Sequence, residues 1–163
     1  MSIAADPADA AREQFMLAAI EQARRSMAAG GPPVGACLVR DGSLLASAHN
    51  EVIPRLDITA HAEIVVLRQA CEELRSLNLS GCELYVTVEP CLMCFAACSY
   101  AGISSIRYGA SISVLNHYTG DELCVAKGDL PDGGPEMIGG LLAEDCAALV
   151  KEWGSSRTAG RVG

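Results

Sequence analysis

The stretch Glu83-Leu84-Tyr85-Val86-Thr87-Val88-Glu89-Pro90-Cys91-Leu92-Met93-Cys94 changes character at Pro90. Its first half, Glu83 to Val88, is rich in β-branched and aromatic residues, which favour an extended strand. An apolar run from Cys91 to Ala101 follows at once, and proline suits the first turn of a helix. The stretch therefore predicts a strand, a sharp turn and a helix in that order, with two cysteines three residues apart where the helix starts.

Further helices and strands alternate on both sides of this unit. Apolar spacing, interrupted by glycine, proline and the Asp41-Gly42 pair, predicts their approximate bounds. They are a helix over 8–28 with a stripe of Phe15, Ala18, Ala19, Gln22 and Ala23; strands over 34–39 and 44–49 joined at Asp41-Gly42; a helix over 60–75 capped by Thr59, with Ala62, Val65, Val66, Gln69 and Ala70 on its buried side; a strand over 105–108; and a helix over 143–153 with Leu142, Cys146, Leu149, Val150 and Trp153 facing inward. Residues 109–140 show no clear pattern beyond a loop at 131–135. This alternation predicts an α/β fold with a mixed sheet and helices on both of its faces.

Length and charge restrict the classes of protein to consider. A chain of 163 residues is near the commonest domain size, so we expect a single domain over 1–154 and a flexible tail over 155–163. The formal net charge is −8. Because binding to a phosphate backbone depends on clustered cations, this balance disfavours a nucleic-acid partner, and tRNA stays open only through a local basic patch.

The sequence shows neither the pattern of a secretory signal nor a membrane-spanning stretch, and this predicts the cellular compartment. The first twelve residues have no basic start followed by an apolar run, and no stretch approaches the roughly 18 to 20 apolar residues that cross a bilayer. We therefore expect a cytoplasmic protein without membrane contact. The eight cysteines should then be metal ligands or buried small side chains rather than disulfides. Five of them lie in or beside apolar runs, which suggests core packing for most: Cys37, Cys71, Cys82, Cys124 and Cys146.

Two short motifs carry the chemistry: His61-Ala62-Glu63 opens one predicted helix, and Cys91 and Cys94 open the next. Zinc takes four nitrogen, sulfur or oxygen ligands, and a catalytic site uses three protein ligands and a water molecule. Two cysteines three apart in a first helical turn point the same way and can bind one ion. Either motif alone is frequent by chance, but both in this order follow the pattern of zinc nucleobase deaminases. We predict one Zn²⁺ per chain, bound by His61, Cys91 and Cys94.

Glu63 follows the histidine by two residues and so points to another side of the helix. We predict that it carries protons instead of binding the ion: first from the zinc-activated water, then to a ring nitrogen and the departing ammonia. The alternative is a structural zinc module without catalysis, which needs a fourth protein ligand. Cys98 is the candidate, but it lies one or two helical turns deeper, about 6 to 10 Å along the axis. We predict that Cys98 belongs to the core.

Three further residues have two interpretations each. Asn50 ends a predicted strand beside His49, where it is either a substrate contact, offering a donor and an acceptor to a base edge, or a plain turn residue. His117 lies in the segment without a clear pattern and is predicted to be an exposed loop residue. Trp153 is predicted to anchor the closing helix in the core, with a cap over the substrate pocket as the alternative.

Taken together, the motifs resemble the cytidine deaminase-like superfamily, and within it the tRNA adenosine deaminases, guanine deaminases and single-domain cytosine deaminases. The resemblance covers Pro33-Val34-Gly35-Ala36, the turn at 41–42, Asn50, residues 59–64, residues 84–94 and residues 141–149. It implies a three-layer α/β/α sandwich with a mixed central sheet of about five strands, usually assembled as a homodimer, with zinc bound as above. It also implies that Asn50, the backbone N–H of Ala62 and the carbonyl near Glu89 contact the base.

The substrate is the least determined part of the resemblance. The tRNA enzymes are the most similar around the metal motifs, but they continue with Ala-Arg-Asp after the glycine at 109, where this chain has Ala110-Ser111-Ile112. The acidic balance also does not suit an anticodon stem loop. We therefore predict a zinc-dependent hydrolase that releases ammonia from the exocyclic amine of a free nucleobase, nucleoside or related small heterocycle, guanine or cytosine by analogy. The alternatives are a tRNA-specific adenosine deaminase acting at the wobble position and the structural zinc module.

Overall fold

A computed structural model describes residues 6–124 and 133–159, except for the side chains of 158 and 159. The strand before Pro90 is the middle strand of its five-stranded sheet. Six helices and five strands are found in these residues. The helices are α1 (Pro7–Ala28), α2 (Val52–Arg55), α3 (Ala62–Leu74), α4 (Leu92–Ala101), α5 (Ile112–Thr119) and α6 (Ala143–Ala159), and the strands are β1 (Gly35–Arg40), β2 (Ser43–His49), β3 (Cys82–Val88), β4 (Ser105–Ala110) and β5 (Glu136–Gly139).

The five strands form one mixed sheet in the order β2-β1-β3-β4-β5. β1 runs antiparallel to β2 and β3, whereas β3, β4 and β5 are parallel to one another. The β1–β2 turn has positive φ at both Asp41 (51°) and Gly42 (71°), as a two-residue hairpin turn of type I′ requires. The predicted hairpin and the predicted mixed sheet are both confirmed.

Helices cover both faces of the sheet, so the three-layer α/β/α arrangement is confirmed. Along β3 the side chains alternate, with Leu84 and Val86 packing toward α3 and α4 and Tyr85 packing toward α1 and α6. All three are buried. Because the carboxyl end of β3 leads straight into α4, the start of that helix is fixed at the edge of the core.

Several side chains lie elsewhere than the patterns predicted. The buried stripe of α1 is shifted by one position to Met16, Ala19, Ile20 and Ala23, with Ser26 completing it, and Gln69 of α3 is exposed. Thr59 is not the cap of α3: the N-cap is His61, and the Thr59 hydroxyl donates to Asp57. Pro90 precedes the N-cap of α4, Cys91, and so lies just outside the helix.

Residues 109–140 contain two elements that the sequence did not predict, α5 and β5. Part of the loop predicted at 131–135 falls on residues 131 and 132, which lie outside the described residues. The helix predicted to end at Trp153 continues to Ala159, so residues 155–159 of the predicted flexible tail are helical, and 160–163 lie outside the described residues. A single domain over 1–154 stays our expectation.

The cysteines behave largely as the composition suggested. All eight are unpaired, and Cys37, Cys82 and Cys146 are buried as predicted for core residues. Cys71 is half-buried and Cys124 is exposed, so the core prediction is wrong for Cys124. In the described part of the chain, no helix combines the length and apolarity needed to cross a bilayer.

Substituting alanine for Gly35 tests how closely α1 packs on the sheet. A Cβ atom at this position would overlap the backbone of α1 at Ala19 and Ala23, which no side-chain rotation can relieve. We expect Gly35→Ala to lower the free energy of unfolding by about 1–3 kcal/mol, the usual cost of overpacking, as measured by urea denaturation. The exposed Ser43→Ala in the same hairpin should change it by no more than about 0.5 kcal/mol. Equal stability of the two variants would contradict this packing.

Candidate metal centre

The starts of α3 and α4 bring the three predicted metal ligands together. His61 is the N-cap of α3 and Cys91 is the N-cap of α4, both with extended backbone, and Cys94 is the third residue of α4. Neither N-cap side chain makes the hydrogen bond that usually caps a helix. Both side chains are therefore available to a shared ligand at the point where the two helices begin.

The distances among the three side chains fit a zinc ion. The Nδ1 atom of His61 lies 3.7 Å from the Sγ atom of Cys91 and 3.5 Å from that of Cys94. A tetrahedral zinc with ordinary bond lengths would hold a nitrogen and a sulfur ligand about 3.6 Å apart. The three ligand atoms all lie within 4.8 Å of one another. In residues 6–124 and 133–157, no other three His, Cys, Asp or Glu side chains form such a group.

Cys98 is not part of this group. It is fully buried in the apolar core, as predicted. Three protein ligands are typical of a catalytic zinc site, whereas a structural site uses four. The structural zinc module therefore lacks its proposed fourth ligand.

The cysteine pair holds a thiolate ready for a metal. A hydrogen bond from the Cys94 thiol is the largest cause that lowers the pKa of Cys91, to about 4, and His61 adds to it. The same hydrogen bond raises the pKa of Cys94, and the bond to Cys91 raises that of His61. Because thiolates and neutral imidazoles are the forms that bind zinc, metal uptake here must release protons.

Glu63 lies beside the ligands but outside their group, as its position two residues after His61 predicted. Its side chain is only 3% exposed, and burial raises its pKa to about 7. Its Oε2 atom has no hydrogen-bond partner among the described residues. A buried carboxylate oxygen without a partner is costly to the fold, which is typical of a functional group.

A cavity of about 260 Å³ opens onto these groups. His61, Cys91 and Glu63 lie on its lining together with two other predicted site residues, Asn50 and Glu89. Ala62 is fully buried in the first turn of α3 and is not part of the lining. Most of the remaining wall is apolar, formed by Val34, Val52, Ile53, Val88, Ile112 and Leu115.

Asn50 and Glu89 are both held in place by backbone contacts. The Oδ1 atom of Asn50 accepts from the Val52 N–H at 3.2 Å, so its Nδ2 group remains as a donor. The Glu89 carboxylate accepts from the Ile112 N–H and the Ser111 hydroxyl at the start of α5, where a negative charge is favourable. The Glu89 side chain is thus engaged with the start of α5, and the contact predicted for the carbonyl near Glu89 stays a prediction.

Two elements complete the cavity: α5, which the sequence did not predict, and α6, which is longer than predicted. α5 contributes Ile112, Leu115 and Thr119, and the segment after it contributes Glu122. Ser111, whose hydroxyl caps α5, was the one available signal of this helix. α6 contributes Trp153, which is both buried and part of the lining, so its two interpretations are compatible. The Arg157 guanidinium lies 4.5 Å from the centroid of that ring.

The two remaining histidines are not part of this group. His117 lies on α5, not in a loop as predicted, and it is exposed as predicted. It packs edge-on against Tyr118. His49 is half-buried, with Nδ1 3.0 Å from the carbonyl oxygen of Asn50.

Comparison with known proteins gives one family match and three informative relatives. Residues 9–110 match the family described as the cytidine and deoxycytidylate deaminase zinc-binding region. A tRNA-specific adenosine deaminase of Aquifex aeolicus is 39% identical over 112 residues, which are 64% of this chain and 74% of that protein. A protein solved in complex with 2,6-diaminopurine has a TM-score of 0.81 at 32% identity, covering 88% of this chain and 81% of that one. The guanine deaminase of Nitrosomonas europaea has a TM-score of 0.77 at 28% identity, covering 94% and 87%.

Proposed function

Since the chain belongs to the cytidine and deoxycytidylate deaminase zinc-binding family and is a zinc-dependent hydrolytic deaminase, we propose that its substrate is a free nucleobase, a nucleoside or a related small heterocycle. The cavity carries this proposal. Its volume of about 260 Å³ lies near the lower end of ligand pockets, and its apolar walls suit one flat ring. The structural similarity to a protein bound to 2,6-diaminopurine and to a guanine deaminase supports a purine of the guanine type.

The proposed reaction exchanges an exocyclic amine for a carbonyl oxygen taken from water. Zinc bound by His61, Cys91 and Cys94 would lower the pKa of a water molecule toward neutrality. Glu63 would accept one proton from the attacking water at Oε2 and deliver it to a ring nitrogen. It would then take the second proton from the hydroxyl group added to the ring carbon and pass it to the amine, which leaves as ammonia while the carbonyl forms. A carboxyl group whose pKa is raised to about 7 by burial exchanges protons readily in both directions near neutral pH.

Two residues of the cavity lining would orient the ring over the metal, Asn50 through its Nδ2 group and Glu89 through its carbonyl. The N–H of Ala62, which lies behind the lining, stays a prediction. Asn50 is the most accessible to a test, because it contributes a side chain. We expect Asn50→Ala to raise the KM for the base about tenfold, the effect of losing one buried hydrogen bond to a ligand. Steady-state kinetics would measure this, with zinc content as the control, and an unchanged KM would contradict the contact.

The tRNA-specific adenosine deaminases are the second candidate, favoured by the sequence identity to the Aquifex aeolicus enzyme. Against this substrate stand the net charge of −8 and the carboxylate of Glu122 in the cavity lining. Binding to an anticodon stem loop calls for cations around the cavity. Of the described residues that line the cavity, Arg157 is the one arginine, and no lysine is among them.

Ammonia release from a panel of bases and nucleosides separates these two candidates. We expect release from at least one purine base, with little dependence on salt, since no phosphate contacts are involved. An inactive panel, together with inosine formation in an anticodon stem loop RNA that falls steeply with salt, would establish the tRNA function instead.

We also propose a homodimer, supported by an unpartnered apolar groove between α3 and α4. Leu77 and Tyr100 line this groove and are 86% and 93% exposed. Light scattering on the purified chain should give twice the monomer mass of 17.0 kDa. The Tyr100→Glu variant should give the mass of the monomer.

A further inference from the structure

Four of the five buried polar side chains in the described residues belong to the cavity or support its wall. Asn50 and Glu63 line it, whereas Ser26 and Thr87 are fully buried behind it, and Ser105 is the fifth. A buried hydroxyl is costly unless it is hydrogen-bonded. Both Ser26 and Thr87 direct their hydroxyls at one short backbone segment, residues 32–35.

Ser26 approaches this segment from α1. Its hydroxyl donates to the Pro32 carbonyl at 2.6 Å and lies 3.5 Å from the carbonyl oxygen of Asn50. The Asn50 N–H in turn donates to the Val34 carbonyl at 3.1 Å. Ser26 therefore contacts both the segment and the residue bonded to it.

Thr87 approaches the same segment from β3. Its hydroxyl donates to the Pro33 carbonyl at 3.0 Å and accepts from the Gly35 N–H at 3.2 Å. Thr87 thereby uses one hydroxyl to fix both a donor and an acceptor of the segment. The next two residues of the chain, Val88 and Glu89, line the cavity.

We propose that Ser26 and Thr87 are positioning residues, which clamp residues 32–35 between α1 and β3 and so set the position of Asn50 toward the substrate. This inference rests on the proposed contact between Asn50 and the base. Since the Asn50 amide is itself tied to Val52, a shift of the Asn50 backbone displaces its donor group. Neither hydroxyl touches the substrate, so the effect passes through Asn50.

Kinetics of Ser26→Ala test the clamp. We expect KM for the base to rise about 3- to 10-fold, the range for one lost hydrogen bond, with kcat changed less than about twofold because Glu63 and the metal ligands are untouched. Ser104→Ala is the matched control, since that hydroxyl also donates to a distant carbonyl, of Cys82 at 2.9 Å, but lies away from the cavity. It should leave KM unchanged, and an equal rise in both variants would overturn the proposal.

A double-mutant cycle separates positioning from general loosening. If Ser26 acts through Asn50, then Ser26→Ala should have no further effect on KM once Asn50 is alanine. Thr87→Val, which keeps the shape and removes the hydroxyl, should behave in the same way. If the fold-changes in KM of the single variants multiply in the double variants, the hydroxyls do not act through Asn50.

Amide hydrogen exchange tests the clamp without any substrate. The N–H groups of Gly31 and Asn50 should exchange at least about threefold faster in Ser26→Ala and at the original rate in Ser104→Ala. Unchanged exchange would overturn the clamp whatever the substrate. Faster exchange in a chain that deaminates no base would instead contradict the proposed function.

Discussion

Replacing Glu63 with glutamine is expected to lower the rate of deamination by about 10²- to 10⁴-fold, the range that general acid–base catalysis contributes. Glutamine keeps the shape of the side chain but cannot accept and return a proton. The loss should fall on kcat, because the substrate contacts proposed for Asn50, Ala62 and Glu89 are unchanged. Ammonia release at saturating base would measure it.

Two controls make the Glu63 result specific. Zinc content should stay at one per chain, since the Glu63 carboxylate is not among the grouped ligand atoms. Glu73→Gln, an exposed carboxylate on the same helix, should keep full activity. Near-normal kcat in Glu63→Gln would show that another group moves the protons.

Removal of one sulfur ligand is expected to have the second large effect. In Cys94→Ala two ligands remain, too few for a zinc site of either kind. We expect bound zinc, measured by elemental analysis of the purified chain, to fall from one per chain to nearly none, and activity to disappear with it. The loss of affinity should exceed the roughly 10–100-fold that outer-shell substitutions cause.

Cys98→Ala is the matched variant for this experiment. It removes a sulfur from the same helix, one turn further along, where the side chain is fully buried in the core. Its zinc content should be that of the unchanged chain. Loss of zinc in Cys98→Ala would make Cys98 a ligand and would restore the structural zinc module as the interpretation of this site.

Local spacing predicted the parts of the fold whose periodicity is strong. The Asp41-Gly42 hairpin, the strand before Pro90 and the helices carrying His61 and Cys91 all follow from residue patterns that act within a few positions. The metal ligands were also predicted. A spacing of three residues at the start of a helix makes the Cys91 and Cys94 sulfurs point the same way. Elements of this kind need little information from the rest of the chain.

The missed elements depend on contacts that spacing does not reveal. β5 has only four residues and pairs with β4 at the edge of the sheet, so its identity comes from the neighbouring strand. α5 is eight residues long, and its start is completed by the distant carboxylate of Glu89. The prediction of Thr59 as the cap of α3 was wrong for a related reason. The N-cap position is occupied by His61, whose side chain belongs to the metal group.

Two helices have zinc ligands as their N-cap residues instead of capping side chains, so we expect a bound ion to stabilise their starts. A bound zinc would join positions 30 and 33 residues apart along the chain. Because the unfolded chain has no preformed site, the free energy of zinc binding would stabilise the folded state. Metal supply and the persistence of the folded protein would thereby be coupled. A cell short of zinc would lose this protein through proteolysis as well as through idle active sites.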